Sequence, residues 1–558
     1  MGLSAEVRVF KRHLRNAIAC VAVVMSTAPA HAQILSKLSS DLRSLTSQLG
    51  LSANVVVQYQ SAPSSLDLLT LKLLGGVIKQ VYSTIPAVSL QIPAVQLLAL
   101  ANILNIVYIT PDRPVQGLLD YTAPAVDAPV AWQTGYDGTG VGVAIIDSGI
   151  YQHADLQAAN STRSRVVYRQ DFIDSSTGDN YGHGTHVAGI VAGNGKSSTG
   201  PAYTRTFKGI APNANLIDLR VLKANGSSTD SAVLAAIDTA IALKSRYNIR
   251  VINLSLGRPI FETYRLDPLC MAVTAAWRSG IVVVVASGNL GRNGYGTILS
   301  PGNTPAAITV GAMKTMFSVT RADDMIASYS SKGPSYADYV IKPDVVAPGN
   351  LMSSLLSPGS TLANTYPQDV LGASYYMSAG TANLAAGYFR LSGTSMATPV
   401  VSGEAALMIQ KDSTLTPDTV KARIMKTATK NFPQYSVATD PATGVSYTSQ
   451  YDIYTVGAGY VDVAGALAST DIARGSTASP SVSHSLLAQQ SVLVALPGTI
   501  WGSSAVWGDS AVWGDAVLIN GSSAVWGDSA VWGDSGQWGT SAVWGDSAVW
   551  GDSYKGEN

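Results

Sequence analysis

Five short apolar runs constrain what this chain can fold into: Val141 to Ile146, Leu216 to Val221, Val251 to Leu254, Ile281 to Ala286 and Ala307 to Val310. Each is too short to be a core helix and rich in β-branched or aliphatic residues, and helical patterns separate them. Near-continuous apolar runs of this length read as strands buried on both faces of a parallel sheet. The expected class is therefore α/β with a mostly parallel sheet. At 558 residues the chain is also too long for one ordinary domain.

Open α/β sheets place their sites at the carboxyl ends of strands, so the residues just after these runs matter most. Val143-Ala144-Ile145-Ile146-Asp147-Ser148-Gly149 ends a strand with an acid. Gly182-His183-Gly184-Thr185-His186-Val187-Ala188-Gly189 opens a helix with an imidazole between two glycines. Val283-Val284-Val285-Ala286-Ser287-Gly288-Asn289 ends another strand with an amide. Gly393-Thr394-Ser395-Met396-Ala397-Thr398-Pro399 puts a hydroxyl at the head of an apolar helix running from Val400 to Lys411. A serine at a helix start is usually only a cap. It also meets the positive end of the helix dipole and unpaired N–H groups, which suit a nucleophile that develops negative charge.

The order Asp147, His183, Ser395 and these four motifs resemble the subtilisin-like serine proteases, the subtilases, over about Leu118 to Leu467. The resemblance implies a subtilisin-like three-layer fold and a role for each matching residue. Ser395 would attack the scissile carbonyl, His183 would accept and return the proton, and Asp147 would orient the imidazole. Asn289 and the Ser395 N–H would form the oxyanion hole. Gly226 and Ser227 on one side, and Ser255, Leu256 and Gly257 on the other, would bracket an extended peptide as added strands. Ala286 and Gly288 would line one wall of a roomy, mostly apolar pocket. His186, one helical turn from His183, would be structural. His153 and Asp155 read as a loop hydrogen-bond cluster in preference to a metal site. The loop from Gly193 to Gly200 lacks acids, so structural calcium stays open and no metal ligand is assigned. An insertion from about Leu351 to Arg390 carries Tyr366, Tyr375, Tyr376, Tyr388 and Phe389 and is expected to form a lid or extend the groove.

The remaining blocks frame this unit. Residues 1–32 read as an export signal: Arg8, Lys11, Arg12 and Arg15, then an apolar core, then Ala30-His31-Ala32. Residues 33–116 read as a small α+β unit, with strands at Asn54 to Tyr59, Val88 to Ile92 and Ile106 to Ile109 and helical spacing from Leu66 to Tyr82 and from Ala94 to Leu104. It resembles the inhibitory pro-segment of the family. The peptidase unit is expected at 117–469 and a Ser/Ala-rich linker at 470–500. Residues 501–558 repeat Ser-Ala-Val-Trp-Gly-Asp with period six. Eight of the ten tryptophans fall there, so this tail serves something other than a compact core. It is expected to be flexible, a short hairpin array or β-solenoid with a Trp ladder, or an adhesive segment that contacts cell-surface polysaccharide.

Net charge is zero and no basic stripe stands out, which excludes an electrostatic nucleic-acid footprint. Cys20 falls in the export signal, leaving Cys270 alone and expected to be a small buried apolar residue. The expected function is a secreted, extracellular or cell-surface endopeptidase. It would act on protein or peptide substrates and be made as a self-processing zymogen inhibited by its own pro-segment. The alternative is a non-catalytic surface or adhesion protein that carries the repeat; the four intact site residues argue against it.

Overall fold

The computed structural model describes residues 36–499, apart from 39, 44–45, 47–49, 83–85, 112–120, 379–386, 441–442, 486–489 and 495–498. Residues 1–32, expected to be an export signal, and the Trp repeat (501–558) therefore lie outside the described residues. The chain divides into two compact units, 1–116 and 117–558.

In the first unit four antiparallel strands form a sheet: β1 (Ser52–Tyr59), β2 (Val77–Val81), β3 (Ala87–Pro93) and β4 (Ile106–Pro111), in the order β2-β3-β1-β4. Burial alternates along β1, so one face is apolar. Leu71 of helix α1 (Ser65–Leu73) and Leu97 and Leu100 of helix α2 (Leu97–Ala101) pack in one core with Val55, Leu90 and Ile109. The helical spacing from Leu66 to Tyr82 ends early, and its second half is strand β2. The reason is Gly75-Gly76. Gly75 takes φ +78°, its N–H bonds the Lys72 carbonyl and the Gly76 N–H bonds that of Leu71. This is the paired glycine stop that closes a helix and frees the next residues to extend.

In the second unit, β5 (Gly142–Asp147), β6 (Val166–Asp171), β7 (Asn215–Arg220), β8 (Ile249–Leu254), β9 (Val282–Ala286) and β10 (Ile308–Lys314) lie side by side in the order β6-β7-β5-β8-β9-β10. All these pairings are parallel. Strand β12 (Val345–Pro348) adds in parallel to β10, while the two-residue β11 (Met325–Ile326) pairs antiparallel with it. Every residue of β5, β9 and β10 is buried, as a sheet covered on both faces requires. Helix α3 (His183–Ala192) packs on α6 (Thr394–Lys411), and α6 lies on β8, β9 and β10. Helices α4 (Asp230–Ala242) and α5 (Pro268–Arg278) pack on each other and on the same sheet. The chain runs from β5 outward to β6 and back to β7, then crosses to β8 on the other side. The carboxyl end of β5, where Asp147 sits, is thus the point at which strand order reverses, the usual place for a site in such sheets.

The aromatic insertion is largely internal. Met352–Leu355 (β13), Val370–Leu371 (β14) and Tyr388–Leu391 (β15) form a small antiparallel sheet in the order β13-β15-β14. Tyr376, Tyr388 and Phe389 are buried, and Tyr388 packs against Phe207 with ring centroids 4.5 Å apart. These three rings fill core space.

Candidate active site

The local sequence before α3 decides where His183 points. Asp179 is fully buried and accepts five hydrogen bonds. Its Oδ1 takes Ser148 Oγ (2.8 Å), the Gly182 N–H (2.7 Å) and the Tyr181 N–H (3.2 Å). Its Oδ2 takes the Thr185 N–H (2.8 Å) and hydroxyl (2.7 Å). Three of these donors are the backbone N–H groups of Tyr181, Gly182 and Thr185 at the helix entry, where the helix itself supplies no acceptor. Burial pushes the Asp179 carboxyl up, and the hydrogen bonds from Gly182, Thr185 and Ser148 offset only part of that rise. Ser148 Oγ also accepts from the Gly184 N–H at 2.8 Å, tying α3 to the residue after Asp147. Gly184 has to be glycine, since a Cβ there would lie 2.3 Å from the Gly149 carbonyl oxygen.

Asp147 and His183 meet at the end of β5. His183 Nδ1 lies 2.8 Å from Asp147 Oδ1 and 3.0 Å from Oδ2, and both residues are buried. The Ser148 N–H fixes Asp147 Oδ1 at 2.7 Å. A carboxylate at that distance requires the proton on Nδ1, which leaves Nε2 with its lone pair. His186 has the opposite assignment. Its Nε2 faces the carbonyls of Met352 (3.0 Å) and Phe389 (3.1 Å), so Nε2 carries the proton. Burial pushes its pKa down to about 3, so it stays neutral and holds α3 to the small sheet.

Ser395 is the second residue of α6 and is fully buried. Its hydroxyl lies 3.4 Å from the Ser255 carbonyl, a long and weak contact. Its own carbonyl accepts from Ser255 Oγ at 2.8 Å. Pro399 explains that bond. Proline has no N–H to return to the residue four positions back, so the Ser395 carbonyl is freed from the helix ladder. Ser255 fills the vacancy from the end of β8, and its Oγ accepts in turn from Asn253 Nδ2 at 3.0 Å.

Asn289 faces the same helix end. Its Oδ1 accepts the Thr394 N–H (2.9 Å) and the Thr394 hydroxyl (3.0 Å), while that hydroxyl accepts the Gly288 N–H (3.2 Å). A backbone N–H can meet only the amide oxygen, so this set fixes the orientation of the amide. Nδ2 is left buried with no partner. An orphaned buried donor beside a serine at a helix N-terminus is what a developing oxyanion needs.

Contacts thus link Asp147 to His183, and Ser255, Gly288, Thr394 and Asn289 to the Ser395 segment. Gly226 packs against the Tyr181 ring, whose centroid is 6.3 Å from that of His183. Ser227 closes the same turn, its carbonyl accepting the Lys223 N–H at 2.9 Å. Leu256 and Ala286 are buried and Gly257 half-buried, offering surface and backbone rather than polar side chains. The Ser255 side chain holds the Ser395 carbonyl. The sequence reading missed Asp179 and Thr394. The spacing of Asp179, three residues before the Gly182 that caps α3, was the available capping signal.

His153 and Asp155 form the loop cluster. His153 Nδ1 accepts the Asp155 N–H (3.1 Å), and Nε2 faces the Gly387 carbonyl (3.0 Å). Asp155 accepts from the Ser197 N–H (2.6 Å) and the Tyr388 hydroxyl (2.7 Å). Among the described residues no three His, Cys, Asp or Glu side chains converge as metal ligands. Cys270 is buried beside Asn303 Oδ1 (3.1 Å), and burial pushes its thiol up to about 12, too high for a thiolate nucleophile.

Residues 138–440 match the subtilase family, and the chain belongs to it. Three bacterial relatives are similar over this region. Serine protease AprX of Bacillus subtilis (strain 168) is 38% identical over 323 residues, covering 56% of this chain and 66% of that protein. Subtilisin DY of Bacillus licheniformis is 35% identical over 312 residues, covering 55% and 91%. The alkaline protease of Alkalihalobacillus alcalophilus is 32% identical over 354 residues, covering 62% and 75%.

Proposed function

We propose that this chain is a serine endopeptidase in which Ser395 is the nucleophile, His183 the general base and acid, and Asp147 the group that orients the imidazole. The observation that carries the reading is the buried Asp147–His183 pair, which sets the tautomer, together with the orphaned Asn289 Nδ2 beside Ser395. In the first step Ser395 Oγ bonds to the scissile carbonyl carbon as its proton passes to His183 Nε2. The imidazolium is stabilised by the Asp147 carboxylate. The carbonyl oxygen takes up negative charge facing Asn289 Nδ2 and the Ser395 N–H. The tetrahedral species collapses, His183 gives its proton to the leaving amine, and an acyl-Ser395 ester remains. Water, deprotonated by the same Nε2, reverses the sequence and releases the new carboxylate.

Peptide binding follows from backbone pairing. Leu256 and Gly257 make no backbone hydrogen bond among the described residues, so their N–H and C=O groups are available to an extended chain. Ser227 would face it from the other side, and Ala286 and Gly288 would wall the primary pocket. Recognition of this kind reads shape before sequence, so cleavage should be broad. The names of the relatives, a serine protease, a subtilisin and an alkaline protease, also support a protease. The first unit is proposed as a pro-segment that assists folding and covers the cleft until a self-cut near Pro114 to Asp120. The Trp repeat is proposed as a surface-contact tail.

One experiment tests the core of this reading. A serine-directed phosphonate should label the protein at Ser395, and Ser395→Ala should both abolish labelling and accumulate the unprocessed chain. Labelling that survives in Ser395→Ala would remove Ser395 as the nucleophile. Normal maturation of that variant expressed alone would remove self-processing.

A further inference from the structure

A second cleft on the peptidase unit is lined by none of the residues discussed above as catalytic. It holds about 390 Å³ of empty volume, part of it open to solvent. Tyr121 from the start of the unit, Arg205 from the loop after α3, Asn350, and Tyr375 and Arg390 from the insertion line it. The two guanidinium groups pack on one ring: the Arg205 centre lies 3.8 Å and the Arg390 centre 5.2 Å from the Tyr375 centroid. Neither side chain makes a hydrogen bond or ion pair with any described residue. Asp369 is the described carboxylate whose charge Arg390 senses, and it does not pair with it. Arg390 Nε and the Tyr121 hydroxyl are buried with no partner.

The chemistry of this set is one-sided. Two cations held on the Tyr375 ring, one of them with its Nε buried and unpartnered, and the buried Tyr121 hydroxyl line one cleft, and among the described residues no carboxylate pairs with them. Stacking on Tyr375 holds each guanidinium plane in place while leaving its N–H fork free, which preorganises it for a bidentate acceptor. A buried donor without a partner is costly, and an arriving acceptor removes that cost. We propose that Arg205, Arg390 and the Tyr121 hydroxyl form a binding site for a small oxyanion, a carboxylate or a phosphate group. The bound anion would join three segments from Tyr121 to Arg390 and so fasten the start of the peptidase unit to the insertion. This assignment stands independently of the reaction proposed above.

The test is thermal unfolding of the purified protein titrated with sodium phosphate, against sodium chloride at matched ionic strength to remove screening. A second pair of titrations uses N-acetylglycine and its amide. The expected result is a saturable rise in Tm with phosphate or with the carboxylate, absent with chloride and with the amide; which of the two anions acts identifies the source. Arg205→Gln and Arg390→Gln should each raise the half-saturating concentration at least tenfold, and Arg205→Lys less. General exclusion of phosphate from protein surfaces would stabilise all variants alike, so the variants separate it from a site. Should the arginine variants unfold at rest, Tyr121→Phe serves, with a smaller weakening expected. Equal titration of wild type and variants, or no saturable response to either anion, overturns the proposal.

Discussion

Helices α3 and α6 each deliver one group to the site, and each is associated with a fully buried acid, but the two acids live in opposite surroundings. Asp179, at the entry to α3, is met by five donors. Glu404, inside α6, has both oxygens buried without a partner. Burial, with Asp462 nearby and only Arg321 opposing, pushes the Glu404 pKa up to about 8, so it sits in the helix as a neutral acid at pH 7. The contrast teaches that burial alone does not tell what a carboxylate is for. Asp179 organises the backbone that aims His183. Glu404 organises nothing by hydrogen bonding and leaves α6 sensitive to pH. The α6 end of the site is positioned instead by Pro399, Ser255 and Asn289.

The comparison can be broken most severely at the α3 side. Asp147→Asn should lower kcat/KM on a peptide substrate by about 10⁴, because an amide no longer enforces a proton on Nδ1. A fall of less than tenfold would mean that His183 is aimed by its helix alone. On the α6 side, Asn289→Leu should cost about 10²–10³ in kcat with KM little changed, since the orphan Nδ2 acts on charge that exists only in the transition state. A change confined to KM would assign it to substrate binding.

Stability separates the two acids. In the Ser395→Ala background, to prevent self-digestion, Asp179→Ala should lose about 3–5 kcal/mol in denaturant unfolding, because five donors lose their acceptor. Glu404→Gln should do the reverse. The folded protein holds the Glu404 proton more tightly than the unfolded chain, so wild-type stability is lost as pH rises from the usual glutamate range toward about 8 and is level beyond it. The variant lacks that loss and should exceed wild type by about 4 kcal/mol at pH 8, with the difference vanishing below pH 4. A pH-independent difference would place the Glu404 effect in packing.

How much was legible in the sequence follows from how locally each feature is encoded. The five apolar runs mark β5, β7, β8, β9 and β10 because strands buried on both faces need continuous apolarity. Strand β6 escaped because it is half-exposed, with Arg169, Gln170 and Asp171 along it. Strand β2 was merged with a helix because its apolar residues continue the helical spacing, and only Gly75-Gly76 marks the break. Asp147, His183, Asn289 and Ser395 stood out as chemically distinctive residues at element ends. Asp179, Thr394 and the tie from Ser255 to the Ser395 carbonyl did not, because each is an ordinary polar residue whose meaning depends on partners far along the chain. The burial of the insertion's Tyr376, Tyr388 and Phe389 was not legible, since it depends on a small sheet packed against the distant Phe207.

The Pro399 vacancy also bears on when the site comes into being. Asp147 and His183 are 36 residues apart and can meet as soon as β5 and α3 dock. The bond that seats Ser395 spans 140 residues and the one that seats its amide neighbour spans 105, so both wait for α6 to settle on a finished sheet. Contacts of such long range form late in folding. In the proposed mechanism, a chain assembled in this order would lack its nucleophile while its own unfolded segments are still exposed, which would protect the nascent chain and its sister molecules from premature digestion.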